Sequence, residues 1–275
     1  MPEGPEVRRD ADQIMEAVGR RAAEHVFFGL DRLKDYEAKL TGLEVRDVEA
    51  RGKALLVRFE DGWNVYAHNQ LYGKWYVRPA GGDPDTNRQL RFAIRNQDHS
   101  ALLYSASEIH VLRDDELDGH DYLSKLGPDP LDEKVDRQQV LERLQSDDFR
   151  NRSLATLLLD QEFLAGVGNY LRVEICFVSG IHPDARPGDC PQDKLKEIAQ
   201  ALVEIPRRAY VYKGTTVDPE LAEKLKNAGR PRKDWRRYVY QRDGRPCHQC
   251  GSEIVKKKLG GRSGFFCPQC QVELR

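Results

Sequence analysis

At 275 residues the chain is long enough for two compact domains, each with its own buried core. The 44 Lys and Arg nearly balance the 45 Asp and Glu, so net charge alone neither supports nor excludes a nucleic-acid partner. The first twenty residues lack the apolar core of a signal peptide, and no later stretch approaches the roughly 18 uninterrupted apolar residues of a membrane span, so a soluble, cytoplasmic protein is expected.

In chain order, Pro5 followed by Val7, Ala11, Ile14, Met15 and Val18 at helical spacing, then Gly19, predicts a helix of about four turns that starts almost at the N-terminus. Eight short β-rich runs follow: residues 25–28, 43–48, 54–59, 63–68, 74–78, 90–94, 101–104 and 109–112. Turn signals such as Asp61-Gly62 and Gly81-Gly82 between them predict an antiparallel sandwich or barrel that ends near residue 125. Gly127-Pro128-Asp129-Pro130 marks a boundary, because two closely spaced prolines disfavour both helix and sheet. Beyond it, Leu154, Leu157, Leu158, Phe163, Val173, Ile175 and Phe177, then Leu195, Ile198, Leu202 and Ile205, keep helical spacing and predict an all-α domain. Residues 214–236 are polar, basic and weakly patterned, and a loop is expected there.

The last segment is different again. From Lys224 onward, 14 Lys and Arg stand against 4 Asp and Glu, so the acidic excess lies on the rest of the chain and the C-terminal fifth is electropositive. Cys247-x2-Cys250 and Cys267-x2-Cys270 have the spacing at which two knuckles place four thiolates around one Zn2+. Four cysteinates leave no open coordination position, so the expected zinc is structural. Residues 254–259 and 262–266 read as the two strands of a hairpin carrying Lys256, Lys257, Lys258 and Arg262, a set that favours phosphate as partner. Cys176 and Cys190 do not form a disulfide framework; Cys176 reads as a small buried hydrophobe and Cys190 as a loop thiol. The expected architecture is α+β multidomain, with a sandwich domain over 1–126, a linker and helical domain over 127–236, and a finger over 237–275.

Removal of the initiator Met, normal before a small residue, would expose Pro2 as a free secondary amine beside Glu3. An α-amino group titrates near ~7.7 to 8.0, so a useful fraction is neutral and nucleophilic at physiological pH. Attack on an aldehydic carbon would give an iminium, which acidifies the adjacent C–H as elimination requires, and Glu3 could relay protons. Residues alone leave open that this segment is an ordinary helix lead-in.

Four segments carry a resemblance: MPEGPEVRR at the N-terminus, RGKALLVRF around Lys53, FLAGVGNYLRVEICF in the helical domain, and the terminal finger with GRSGFFCPQC. Together, in this order over essentially the whole chain, they resemble the formamidopyrimidine-DNA glycosylase and endonuclease VIII family. Within it, HNQLYG at 68–73 and LLYSASEIHVL at 102–112 look closest to the bacterial endonuclease VIII branch. The resemblance implies that Pro2 is the Schiff-base nucleophile, Glu3 the proton donor, Lys53 the proton donor in β-elimination and Arg262 the δ-elimination arginine, with Glu6 a supporting carboxylate. It implies further that Gly166-Val167-Gly168-Asn169 is the turn of a helix-two-turns-helix whose Asn169 grips DNA phosphate, assisted by Arg172. A family arginine near the end of the first domain stands here as Lys125, which keeps the charge without the bidentate geometry. Gln70, Leu71 and Tyr72 fall at a strand-turn-strand tip, where they would fill the stack vacated by a flipped nucleotide; the alternative is that Leu71 and Tyr72 pack inside the sandwich.

The expected activity is a bifunctional DNA glycosylase and AP lyase of base excision repair. It would bind damaged duplex DNA between its two domains as a monomer, in the bacterial nucleoid, with no redox or nucleotide cofactor. Oxidised pyrimidines are the expected substrates. An oxidised-purine glycosylase is the alternative within the class. A non-catalytic zinc-containing DNA-binding protein would explain the finger but not Pro2, Glu3 and Lys53 together.

Overall fold

The computed structural model describes residues 2–272, which fall into two compact units, one ending at Lys125 and the next beginning at Leu126. Among them no helix is long and apolar enough to cross a membrane.

The first unit opens with helix α1 (Gly4–Val18). Pro5 lies in its first turn, where a missing N–H costs nothing, and the Glu6 carboxylate reaches back to accept the N–H of Glu3 at 3.2 Å, satisfying a donor that the helix itself leaves open. Its buried stripe of Val7, Ala11, Ile14, Ala17 and Val18 joins the core of the unit. Strands β1 (His25–Phe28), β2 (Val45–Arg51), β3 (Ala54–Phe59), β4 (Trp63–His68), β5 (Lys74–Pro79), β6 (Leu90–Arg95), β7 (His99–Tyr104) and β8 (Glu108–Arg113) follow, with a single-turn helix α2 (Glu37–Leu40) between β1 and β2. All eight expected strands are present. They form two antiparallel four-stranded sheets, ordered β1-β6-β7-β5 and β2-β3-β4-β8, so the architecture is a sandwich and not a closed barrel.

Side chains from both sheets and from α1 meet in one core, where Phe28 stacks on Phe92 at 4.9 Å and Val57, Val65 and Ile109 are fully buried. Each such aliphatic or aromatic side chain contributes about 1.5–3 kcal/mol relative to exposure. Register then decides what gathers at the end of the second sheet. Ala54 pairs with His68, and His68 pairs with Glu108, so the β2–β3 turn bearing Lys53, the end of β4 and the start of β8 lie side by side.

The second unit contains α3 (Arg137–Gln145), α4 (Leu154–Leu157), α5 (Asn169–Val178), α6 (Gln192–Val211), α7 (Pro219–Asn227), α8 (Arg232–Arg236), β9 (Val255–Leu259) and β10 (Arg262–Phe266). Asp136 caps α3 by accepting the Gln139 N–H at 2.8 Å. Val140, Leu144, Leu171, Ile175, Leu195, Ile198 and Leu202 pack α3, α5 and α6 around one core. The expected loop over 214–236 is corrected: α7 and α8 occupy most of it. The Asp218 carboxylate accepts the N–H groups of Glu220 and Leu221, Pro219 fills the first helical position, and the Lys226 ammonium lies 4.8 Å over the Trp235 ring. Asp-Pro at a helix start is a legible N-terminal pattern, hidden here by the basic composition around it.

The finger shares a core with α5. Val173 and Phe177 of that helix are buried with Ile254 and Phe265, and Tyr238 stacks on Phe177 at 5.0 Å. The segment expected as a module of its own from residue 237 is therefore packed into the second unit. Cys176 is fully buried, as its apolar helical setting implies, and burial pushes its thiol up to about 12; Cys190 is half-buried.

Candidate active site and nucleic-acid interface

Pro2 is half-buried at the N-terminal end of α1, and Glu3 beside it is 5% exposed. Met1, whose removal would expose the Pro2 amine, lies outside the described residues. Glu6 and Asp10, four residues apart, share a face of α1, and Glu3 is the extended residue that precedes the helix. Burial, aided by Glu6 and opposed by Arg9 and Lys74, pushes the Asp10 carboxyl up to about 6.

Lys53 is half-buried in the β2–β3 turn, next to Gly52 at φ +61. Its backbone N–H donates to the Tyr122 hydroxyl at 2.9 Å. The Tyr122 N–H in turn donates to His120 Nδ1 at 3.3 Å, so neutral His120 carries its proton on Nε2 and donates it to His110 Nδ1 at 2.8 Å. This chain of contacts braces the lysine turn from below. It was invisible in the sequence, because Tyr122 and Lys53 are 69 residues apart.

The β4–β5 connection carries Gln70, Leu71 and Tyr72. Leu71 and Tyr72 are 58% and 67% exposed, so neither packs inside the sandwich. Gln70, at φ +49, is held on three sides: its N–H donates to His68 Nδ1 at 3.1 Å, its Nε2 to Glu108 Oε2 at 3.0 Å, and its Oε1 accepts the Ser107 hydroxyl at 2.8 Å. Glu108 also accepts the Tyr66 hydroxyl at 3.1 Å, and burial, reinforced by that carboxylate, keeps the Tyr66 phenol protonated. Arg88 donates to the carbonyl of Tyr72. Two exposed apolar side chains on a tip with this many fixed contacts are presented, not merely tolerated. Burial, outweighing Glu108 and aided by Lys53, lowers the His68 pKa and favours the neutral ring that accepts the Gln70 N–H. Ser107, Glu108, His68 and Tyr122 carry no motif of their own; the β4–β8 register brings His68 and Glu108 together, and Tyr122 reaches Lys53 from the segment after β8.

In the second unit, Gly166 at φ +82 makes the turn before α5, and Gln161 braces it by accepting the Gly166 N–H and donating to the Val167 carbonyl, each at 3.0 Å. Asn169 is half-buried at the first turn of α5 and donates to the Ser263 carbonyl at 3.0 Å. Arg172 is a correction. With 0% exposure it cannot meet a phosphate; its guanidinium donates to the carbonyls of Ala155, Leu259 and Ser263 and to Asn169 Oδ1. Arg262 is exposed at the start of β10, and Lys125 is exposed at the end of the first unit.

The Sγ atoms of Cys247, Cys250, Cys267 and Cys270 lie within 4.8 Å of one another, with Cys247 to Cys270 at 3.9 Å and Cys250 to Cys267 at 3.4 Å. A tetrahedral zinc with bonds of ~2.3 Å sets sulfurs about 3.8 Å apart, so the four thiolates fit one structural zinc.

Comparison with known proteins agrees with this geometry. Residues 1–107 match the formamidopyrimidine-DNA glycosylase N-terminal domain, residues 126–220 its H2TH domain, and residues 244–272 the zinc finger found in FPG and IleRS. Endonuclease 8 of Escherichia coli O17:K52:H18 is 44% identical over 271 residues, covering 98% of this chain and 100% of the relative. The chain belongs to the formamidopyrimidine-DNA glycosylase and endonuclease VIII family. Endonuclease 8 of Pectobacterium atrosepticum is 43% identical over the same span. Among solved structures, Lactococcus lactis Fpg in complex with an oxidised-pyrimidine-containing DNA matches with a TM-score of 0.80 at 22% identity, over 98% of this chain and 99% of that one. The same protein with an abasic-site DNA gives 0.79. These two establish the fold; family membership makes the chain a DNA glycosylase and AP lyase of base excision repair that carries one structural zinc.

Proposed function

We propose that this enzyme excises oxidised pyrimidines from duplex DNA through Pro2 and then removes the sugar by β- and δ-elimination. The observation that carries the reading is the exposed Leu71–Tyr72 tip, fixed through Gln70 on the same sheet end as Lys53. An apolar pair held out in this way fills the gap left by an extruded nucleotide and offsets part of the few kcal/mol that unstacking costs.

The Pro2 amine bonds to C1′ as the bond from C1′ to the damaged base breaks, and the departing base takes up a proton. The amine loses its own proton, its lone pair expels the ring oxygen, and Glu3 protonates that oxygen, leaving an open-chain iminium. Loss of a C2′ proton then sends electrons toward the iminium and expels the 3′ phosphate, with Lys53 holding and relaying protons beside it. Loss of a C4′ proton, with Arg262 beside the departing group, expels the 5′ phosphate. Water adds to the remaining iminium and hydrolyses it, releasing the sugar fragment as an aldehyde and freeing Pro2, which leaves a one-nucleotide gap with phosphate at both ends. Asn169 and Lys125 hold backbone phosphates, contacts that position the strand without reading sequence. The protein works as a cytoplasmic monomer on damaged DNA in the bacterial nucleoid.

Incubation with a thymine-glycol duplex and borohydride tests the reading. A covalent adduct is expected from Met-free enzyme and not from protein retaining Met1, whose Pro2 nitrogen is an amide. An 8-oxoguanine duplex cut much faster than thymine glycol would move the specificity to purines, and DNA bound without any adduct or strand cleavage would overturn the catalytic reading.

A further inference from the structure

Arg172, fully buried, is one of two arginines among the largest side chains with less than 2% exposure, the other being Arg242. Withdrawing a guanidinium from water costs several kcal/mol, which an apolar residue of similar volume would avoid, so its hydrogen bonds have to define something. They do so in an ordered way. Nη1 donates to the carbonyls of Ala155 in α4 at 2.5 Å and Leu259 at the end of β9 at 3.0 Å. Nη2 donates to Asn169 Oδ1 at 2.8 Å and to the Ser263 carbonyl in β10 at 3.4 Å. Leu259 and Ser263 bracket the turn that carries Arg262. Asn169 Nδ2 donates to the same Ser263 carbonyl at 3.0 Å, which closes the joint from the helix side. Gly260 completes the fit: it sits at φ +55, and a Cβ there would come within 2.6 Å of the Ala155 carbonyl oxygen, so the turn lies directly on α4.

We propose that Arg172 is a positioning residue that locks the hairpin carrying Arg262 onto the Asn169 turn of α5, setting where the arginine of the second elimination stands relative to the gripped strand. The proposal rests on the reading of Arg262 given above. A lysine has one nitrogen and no planar fork, so it cannot serve both flanks of the turn and Asn169 together. Its substitution would leave Pro2, Glu3 and Lys53 untouched, since all three belong to the other unit, and would act on the fate of the iminium after it forms.

The test uses full-length, Met-free, zinc-loaded enzyme on a duplex with one abasic site, comparing Arg172→Lys, Gly260→Ala and Arg262→Ala with wild type. Three quantities are read: the rate of borohydride trapping, the ratio of δ- to β-elimination ends, and bound zinc. For Arg172→Lys the expected result is trapping within about twofold of wild type, one zinc per chain, and a δ-to-β ratio lower by about tenfold, the scale of effect expected from a displaced catalytic group. Gly260→Ala, which lifts the turn with Arg172 intact, is expected to lower the ratio in the same direction, and it decides the matter if Arg172→Lys does not fold or loses zinc. Combining Arg172→Lys with Arg262→Ala is expected to lower the ratio no further than Arg262→Ala alone. An unchanged ratio in both Arg172→Lys and Gly260→Ala, with Arg262→Ala lowering it, overturns the coupling and leaves the reading of Arg262 standing. An unchanged ratio in Arg262→Ala overturns that reading and this proposal with it. Trapping and δ-elimination falling together in Arg172→Lys would reduce Arg172 to general support of the fold and overturn the positioning role.

Discussion

Two turns, one in each unit, carry exposed side chains, and they are anchored by different physics: the β4–β5 connection with Leu71 and Tyr72, and the β9–β10 hairpin with Arg262. The β4–β5 connection crosses between two four-stranded sheets that share a large core, and Gln70, just before the exposed pair, is fixed by ordinary hydrogen bonds to Glu108, Ser107 and His68. The β9–β10 tip grows from a two-stranded ribbon, marginal by itself in water, and is held from one side by four thiolates and from the other by a buried guanidinium. A connection between two large sheets can be held with weak, replaceable bonds; this tip on a ribbon is held by four thiolates and a charge.

The comparison breaks most visibly if zinc is removed. A structural zinc of this type supplies on the order of 10 kcal/mol, so chelation or Cys267→Ser is expected to unfold the finger and abolish strand scission while the sandwich keeps its own melting transition. Calorimetry of the metal-free protein checks this, and a finger that stayed ordered without zinc would contradict it. Next in size is the double change Leu71→Ala with Tyr72→Ala. Because both side chains are exposed, stability should move by less than about 0.5 kcal/mol. Base excision should nevertheless fall about 10- to 100-fold, on the scale of a positioning effect, in single-turnover assays, and a large loss of stability would mean that the pair packs instead of wedging.

Glu108→Ala sharpens the comparison from the other side. It removes the acceptor shared by Tyr66 and Gln70 and is expected to destabilise the sandwich by about 1–3 kcal/mol in denaturant titrations, with a smaller activity loss than removing the wedge. An unchanged midpoint would show that the tip is held by backbone alone.

The smallest expected effect is on pH dependence. Burial first, then neighbouring cations or each other, hold His68, His110 and His120 below the ordinary 6.5. The folded sandwich therefore takes up protons less readily than the unfolded chain, and the stability these rings contribute is full above 6.5 and lost as pH falls below it. Asp10 has the opposite sign: raised from 3.8 to about 6, its contribution is full below 3.8 and lost as pH rises through 6. Asp10→Asn should stabilise the unit at pH 8 and leave the loss of stability on acidification steeper, which unfolding midpoints between pH 5 and 8 would register.

Much of this was legible in the chain. The eight strands, α1 and the four-cysteine knuckles depend on periodicity and spacing, which are local, and turn residues such as Gly52 and Gly166 announce their positions because few other residues adopt their backbone geometry. Helix α7 was missed although Asp218-Pro219 marks its start, since composition outweighed the cap in the reading.

What the sequence determined by itself, then, was the order of elements and the metal ligands, both of them properties of short segments. Only the tertiary structure decided that Glu108 holds Gln70, that Tyr122 braces the Lys53 turn, and that Arg172 is a buried strut and not a phosphate ligand. The reason is that hydrogen-bond partners separated by 38, 69 or 87 residues are chosen by strand register and packing, and a charged residue read one position at a time looks the same whether the fold exposes it or closes over it.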